Sequence, residues 1–538
     1  MEIKKYLSVL AVGLAILLPS SCQKGFLDQT DSSNPTRFVL FNKPADGIAL
    51  VNAIYDTYQN ADLLKKSLWY YANFQSHDFF NWGNDRFYNT YAIPSTFGGI
   101  QVFWQRAYIG IARANSAIVI IAQMKENGVL TEALADRLTG EIYFLRGMTY
   151  YYLAASFGGV PLELTTGAND GLRPKSTQDE VFAQVEQDLI VAAGLLPWKE
   201  GYDPTDLGRA TKGAALSYLG AAQMWLKKYD LALATFNQVT GKYTLIPKFI
   251  DIHEADKENN AESIFEVQFV VAGTQSWGAS NEVAWIGSFG MPEEVSNFGY
   301  DYGNKGLYDG FQTGDQRKAA TIIGPGDINP SPGIIARGGI KSYALVKAGF
   351  ASTDPVVKLK YTGSDGNIIN TCGTIAKPWI GTDLTIPRSG YYNEKMWRDP
   401  TLNGNSEDGT IFGAQNQVLV RYGEVLLNKA ECQIRTGNVA GGLATMKLVR
   451  DRAFGGTAPA VYMSEGKVVA DPLQMVYHEY RHELSGEYST FYNLRRAGVA
   501  TSFIKEVYNI DIPAGHELYP IPQIEIGLNP NLTQNAGY

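Results

Sequence analysis

Leu219, Gly220, Ala232 and Phe236 stand at the relative spacing of consensus positions in a tetratricopeptide repeat. Nothing else in the chain constrains its fold as much. Small residues let two paired helices approach closely, and Phe236 is the right size to fill the groove between them. The turn is expected near Lys228-Tyr229-Asp230. A weaker pair spans 421–434 and 439–452, with Gly437 at its turn. The helices expected at 132–157 and 177–195 make a third pair with an enlarged loop. Fewer than three tight repeats do not stand alone, so these helices are expected to brace something else.

Local signals bound the elements. Helical patterning covers 45–60 and 102–125, and Gly128 stands just past the second. The 132–157 helix breaks at Gly158-Gly159-Val160-Pro161. Thr177 is a candidate N-cap, with Asp179 and Glu180 in the first turn behind it. Ser263-Ile264-Phe265-Glu266-Val267-Gln268-Phe269 reads as a strand. Between about 260 and 415 periodicity gives way to Gly, Asn, Ser and Pro clusters with scattered aromatics, the texture of binding loops. The fold class expected is mostly α: repeat-like helical pairs, at about 132–240 and 421–452, bracing an irregular half with a few short strands. Residues 41–538 are expected to form one domain.

Residues 1–21 combine Lys4 and Lys5, an apolar run over 6–18 and Pro19-Ser20-Ser21, a secretory signal peptide. Cys22 follows directly, as in a bacterial lipobox, so it is the expected site of lipidation. Several acyl chains on one residue anchor firmly, at about 0.8 kcal/mol per buried CH₂. The polar stretch 22–40 reads as a tether. Cys372 and Cys432 are the other cysteines. A bridge and two free thiols are equally open for them.

The formal net charge is −8, so no basic field exists to neutralise phosphates, and nucleic acid is excluded as a partner. Aromatics are abundant, with 24 Phe, 9 Trp and 32 Tyr. Tyr and Trp join an apolar body to a polar tip, which suits surfaces that bind sugars, peptides or proteins.

Several motifs, in order, resemble the SusD/RagB family of Bacteroidota lipoproteins. Phe26-Leu27-Asp28 resembles the family start. Tyr143-Phe144-Leu145-Arg146-Gly147, through Phe157-Gly158-Gly159-Val160-Pro161, resembles its helix exit. Arg209-Ala210-Thr211-Lys212-Gly213-Ala214-Ala215, Arg421-Tyr422-Gly423-Glu424-Val425-Leu426-Leu427 and Val449-Arg450-Asp451-Arg452-Ala453 are similar to family signatures. The ending, Leu518-Tyr519-Pro520-Ile521-Pro522-Gln523 to Asn529-Pro530-Asn531-Leu532-Thr533-Gln534-Asn535, is the most specific. Ser485-Gly486-Glu487 replaces a usual Phe-Glu-Gly, and Asn493 replaces an Asp; a small structural change is expected. The resemblance implies capture of an oligomeric nutrient, a glycan in most members and a peptide in some. It also implies a SusC-like TonB-dependent transporter as partner and an outer-membrane location through the lipid anchor. The resemblance further implies that the anchored protein faces the cell exterior; surface export in such lipoproteins is associated with acidic residues near the Cys, and few follow Cys22 here.

His478-Glu479-Tyr480-Arg481-His482 satisfies H-E-x-x-H, the zincin motif, with Glu506 downstream as a conceivable third ligand. The same residues resemble the family's "ERRHEL" helix, where Glu479 and Arg481 are expected in a polar network. There is no G-x-S-x-G, Walker loop or paired Cys/His box. No enzyme activity, cofactor or metal is expected.

A sugar site needs an aromatic face for the ring and planar polar groups for its hydroxyls. Two segments supply both. The first, 73–101, offers Asp78, Asn81, Trp82, Asp85, Arg86 and Tyr91. The second, 277–308, offers Trp277, Trp285, Tyr300 and Tyr302. These are the expected ligand contacts. An oligosaccharide is favoured over a peptide, which would need an extended groove with backbone partners.

Overall fold

Helix α1, Pro44–Gln59, starts on a proline in its first turn, where a missing N–H costs nothing. The Asp46 carboxylate accepts from the Lys43 and Asn42 backbone amides. A computed structural model describes residues 41–60, 62–81, 85–166, 171–269, 301–324, 391–396 and 415–538. The signal, the tether, Cys22, Cys372 and four of the expected ligand contacts (Trp82, Trp277, Trp285 and Tyr300) lie outside these residues.

After α1, a π-helical segment, Asp62–Trp69, and the short helix Tyr70–Phe74 lead to strand β1, Phe79–Asn81. Helices α2, Gly98–Glu126, and α3, Glu132–Phe157, follow. Thr131 caps α3 by accepting from the Leu134 amide at 3.3 Å, and Gly158 ends it with φ 76°. Among the described residues, α2 alone is long and apolar enough to cross a membrane; here Ile100, Phe103, Ile111 and Ile121 on it are buried in the core. Helix α4, Gln178–Leu195, carries the expected cap in full. Thr177 Oγ1 accepts from the Glu180 amide at 3.2 Å, and Glu180 returns a carboxylate to the Thr177 amide at 2.8 Å. Arg146 of α3 forks onto Asp188 of α4 at 2.7 and 2.8 Å, which gives the Leu-Arg-Gly motif its structural role.

Helices α5, Lys212–Trp225, and α6, Tyr229–Val239, form the pair expected from the repeat spacing. The turn falls slightly earlier than its residues suggested, since Tyr229 and Asp230 already belong to the first turn of α6. Lys227 closes it with φ 58°. A Cβ on Gly220 would lie 2.5 Å from the Phe236 ring, so only glycine admits that ring. Helices α7, Tyr422–Arg435, and α8, Val439–Ala453, complete the series around Gly437, φ 91°. Each helix packs on the next, from α2 to α3, α4, α5 and α6, then α7 and α8, with α1 beside α2. Cys432 is a buried free thiol, pushed up to about 12 mainly by burial.

Between α6 and α7 the chain leaves this frame and returns to the same point. Strand β2, Ser263–Val267, pairs antiparallel with the strand Gln417–Arg421 that runs straight into α7. Val267 lies opposite Gln417, so the chain departs from the frame and re-enters it across one ribbon. Helix α9, Pro472–Leu484, packs across α7. Buried apolar residues from Val51 to Leu532 form one continuous cluster.

Candidate ligand-binding site

The turn after residue 74 passes through His77 at φ 59° and delivers β1. Its partner is β3, Asp301–Gly303. The register is antiparallel, with Phe79 opposite Gly303, Phe80 opposite Tyr302 and Asn81 opposite Asp301. The two segments singled out for sugar chemistry therefore meet in one ribbon. At its end Asn81 Nδ2 donates to Asp301 Oδ1 at 2.5 Å across 220 positions of sequence. Burial pushes the Asp301 carboxyl up to about 8; the Asn81 bond opposes this and the charge of Asp85 adds to it. Asp85 is itself raised, first by burial, with Lys66 at 3.7 Å pulling it back.

The described candidates divide sharply. Asp85 is half-buried and Arg86 is exposed, so both reach the surface beside the ribbon. Asp78, Asn81, Tyr91 and Tyr302 are interior. Asp78 accepts from Arg481 Nε at 2.6 Å, Ser485 Oγ at 2.6 Å and Tyr508 Oη at 2.7 Å. Tyr91 donates to the Gln75 carbonyl. The Tyr302 ring packs between Phe80 and Tyr392 at 5.7 and 5.6 Å. Large aromatic area is worth more inside than at a loop surface, and a buried carboxylate such as Asp78 has to be held by a cation and hydrogen-bond donors, as it is here. Sequence reasoning passed over Asn89 and Asn304. Asn89 Nδ2 donates to the Asn81 carbonyl at 2.8 Å, and Asn304 Nδ2 to the His77 carbonyl at 2.9 Å. Only the cap-like Asn304-Lys305-Gly306 hinted at either.

Beneath this ribbon α9 carries a buried ionic core. Glu483 accepts from Arg317 at 2.9 Å, Arg421 at 2.5 Å and Arg452. Burial alone would raise this carboxyl, but the three guanidinium groups pull it down to about 2. Arg421 also bonds Glu262 at 2.8 Å and Glu487 at 2.8 Å. Lys395 meets Glu487 at 2.5 Å and is pushed down to about 8 by burial, against the pull of Glu487. The Phe249 ring lies 4.9, 5.4 and 4.9 Å from the cations of Lys395, Arg421 and Arg452.

The H-E-x-x-H residues belong to this core, as expected of Glu479 and Arg481. Glu479 Oε1 accepts from Arg317 at 2.6 Å and Oε2 from Tyr462 at 3.0 Å, so both oxygens are engaged. Ser464 Oγ bridges His478 Nδ1 at 2.9 Å and His482 Nε2 at 3.4 Å. His478 is lowered to about 3 by burial and by Arg481, and His482 falls in the same direction for the same kind of reason, so both are neutral. Glu506 lies 3.9 Å from His478 Nε2. Among the described residues no three His, Cys, Asp or Glu side chains are placed to share a metal ion.

Residues 254–538, more than half of the chain, match the model of the SusD family. The chain belongs to that family. Residues 25–224 match a second family model, described as starch-binding and associating with the outer membrane. A SusD-like protein of Formosa agariphila is 22% identical over 454 residues, covering 81% of this chain and 79% of its own length. The starch-binding protein SusD of Bacteroides thetaiotaomicron is 23% identical over 443 residues, covering 76% and 74%. Among solved structures, surface glycan-binding protein A from Bacteroides thetaiotaomicron, in complex with laminarihexaose, superposes with a TM-score of 0.70. It is 19% identical and the match covers 91% of this chain and 99% of that one. A laminarin-binding SusD-like protein gives 0.69 at 22% identity, covering 93% and 100%. Both likenesses establish the SusD fold of this family member.

Proposed function

We propose that this SusD-family protein is a lipid-anchored glycan-binding protein of the outer membrane. It captures an oligosaccharide and passes it to a SusC-like TonB-dependent transporter, and it performs no chemistry itself. The observation that carries the reading is the β1–β3 ribbon. It joins the two aromatic and amide-rich segments, and its last pair, Asn81 and Asp301, is next in sequence to Trp82 and Tyr300. Trp82, Trp277, Trp285 and Tyr300 supply the stacking faces in this reading, and Asp85 and Arg86 the polar contacts. Relatives named for starch and laminarin binding support a glucan-type ligand. Engagement of both Glu479 oxygens favours binding over hydrolysis. Cys22 carries the acyl chains and the 22–40 tether sets the body off from the membrane. Isothermal titration of the mature chain against laminarin and malto-oligosaccharides, with casein peptides as the contrast, tests the reading. Saccharide binding supports it, and binding of peptides alone overturns it.

A further inference from the structure

A separate cavity opens between the C-terminal half of α1, the turn at 205–209 and β2. Its volume is about 310 Å³, at the lower bound of ligand sites of about 300–1,000 Å³. That is room for one small ring and not for a polymer. The half-buried Tyr55, the exposed Leu207 and the buried Val267 give it an apolar side, and the amides of Asn52 and Gln59 give it a planar polar side; the Gln268 amide behind them is already fully bonded, to Asn259, Asn416 and the Glu266 carbonyl.

The lining charges are already engaged, Arg209 and Asp206 with each other and Glu266 by neutral amides. Arg209 donates to Asp206 at 2.7 Å, Glu141 at 3.0 Å and Asn52 Oδ1 at 3.0 Å. Glu266 accepts from the Asn259 amide at 2.9 Å and from Asn416 at 3.0 Å. An anion entering here would find no free cation, since Arg209 is engaged, and would lose its hydration. The amides are held in place beforehand. Gln59 Nε2 donates to the Gln268 carbonyl at 2.7 Å, and the Gln268 and Asn259 amides exchange bonds at 2.8 and 3.2 Å. Gly208, φ 91°, is what admits Gln268, since a Cβ there would lie 2.2 Å from its amide carbon. A rigid wall of oriented amides lowers the ordering cost of binding.

We propose that this cavity is a ligand site in its own right, taking one neutral pyranose ring of a saccharide. The ligand class rests on the glycan reading above; the cavity and its engaged charges do not. Gln268 directly follows β2, where the chain leaves the helical frame.

Ligand-observed saturation-transfer NMR on the mature chain tests this with methyl β-D-glucopyranoside, glucuronic acid and laminarihexaose as probes. The glucoside is expected to bind, the acid not. Leu207→Trp, which fills the cavity, and Asn52→Ala, an exposed position, are each expected to weaken the glucoside by at least about tenfold, or about 1.4 kcal/mol. Glucoside binding that is absent, or that neither substitution changes, overturns the inference; persistence of laminarihexaose binding then leaves the glycan reading standing. Equal binding of glucuronic acid also overturns it. Cavity-dependent glucoside binding without any oligosaccharide binding supports the cavity and removes the larger reading.

Discussion

Arg481 and Asp78 meet at 2.6 Å although 403 positions separate them in sequence. The contact ties α9 to the residue immediately before β1, so the helix bearing the H-E-x-x-H residues fixes the root of the candidate ligand site. Both groups are buried. Removing Arg481 leaves Asp78 as an interior charge without a cation, which typically costs about 3–5 kcal/mol, whereas removing Asp78 leaves Arg481 its second partner, Glu465. Arg481→Ala is expected to destabilise by that order in urea unfolding and Asp78→Ala by less. The double variant is expected to lose clearly less than the sum of the two, and strict additivity argues against a coupled pair.

Tyr302 and the two tryptophans Trp82 and Trp285 are expected to respond in opposite ways. Truncating a buried aromatic costs about 3–5 kcal/mol of stability, so Tyr302→Ala lowers the melting temperature. Trp82→Ala or Trp285→Ala weakens oligosaccharide binding and leaves the melting temperature in place. Affinity unchanged in both tryptophan variants removes them as stacking platforms.

Stability is expected to fall at both ends of the pH scale for different reasons. Asp301 binds its proton more tightly in the folded chain, so its contribution is complete below the ordinary carboxylate range and lost as pH rises through about 8. Glu483 is the reverse: its contribution is present above the ordinary range and lost as pH falls through about 2. Relative to wild type, Asp301→Asn is expected to gain in urea midpoint between about pH 5 and about pH 9. A parallel profile for the two proteins counts against the Asp301 assignment.

Gly220→Ala is expected to separate α5 from α6. The added methyl meets the Phe236 ring, and overpacking of this kind costs about 1–3 kcal/mol. Pairing it with Phe236→Leu, which shortens the ring, is expected to restore part of the loss.

Metal analysis of the purified protein settles the remaining chemistry of α9. Zinc is expected well below one equivalent, and His482→Ala is expected to alter stability without altering metal content. One equivalent of zinc that disappears in that variant reverses this reading of the motif.

What could be read in advance was local. Thr177 with Glu180, the Gly158 stop and the Gly220–Phe236 spacing each act within a few turns of chain, and each appears in place. The family motifs pointed to the frame. The pairing of Asn81 with Asp301 was not legible, because no periodic pattern links residues 220 apart. For the same reason Asp78 read as a surface carboxylate: its cation lies on α9. Tyr302 shows a second limit, since a ring suited to stacking on sugar is equally suited to stacking on Phe80 and Tyr392.

The ribbon at Val267 and Gln417 makes the segment between them a cassette, with both ends in one place. It is a keyed cassette, because its Arg317 and Lys395 plug into Glu479, Glu483 and Glu487 of the frame. A graft from a distant homologue must therefore bring two cations to those sockets before its own loops can specify a new ligand, whatever their sequence.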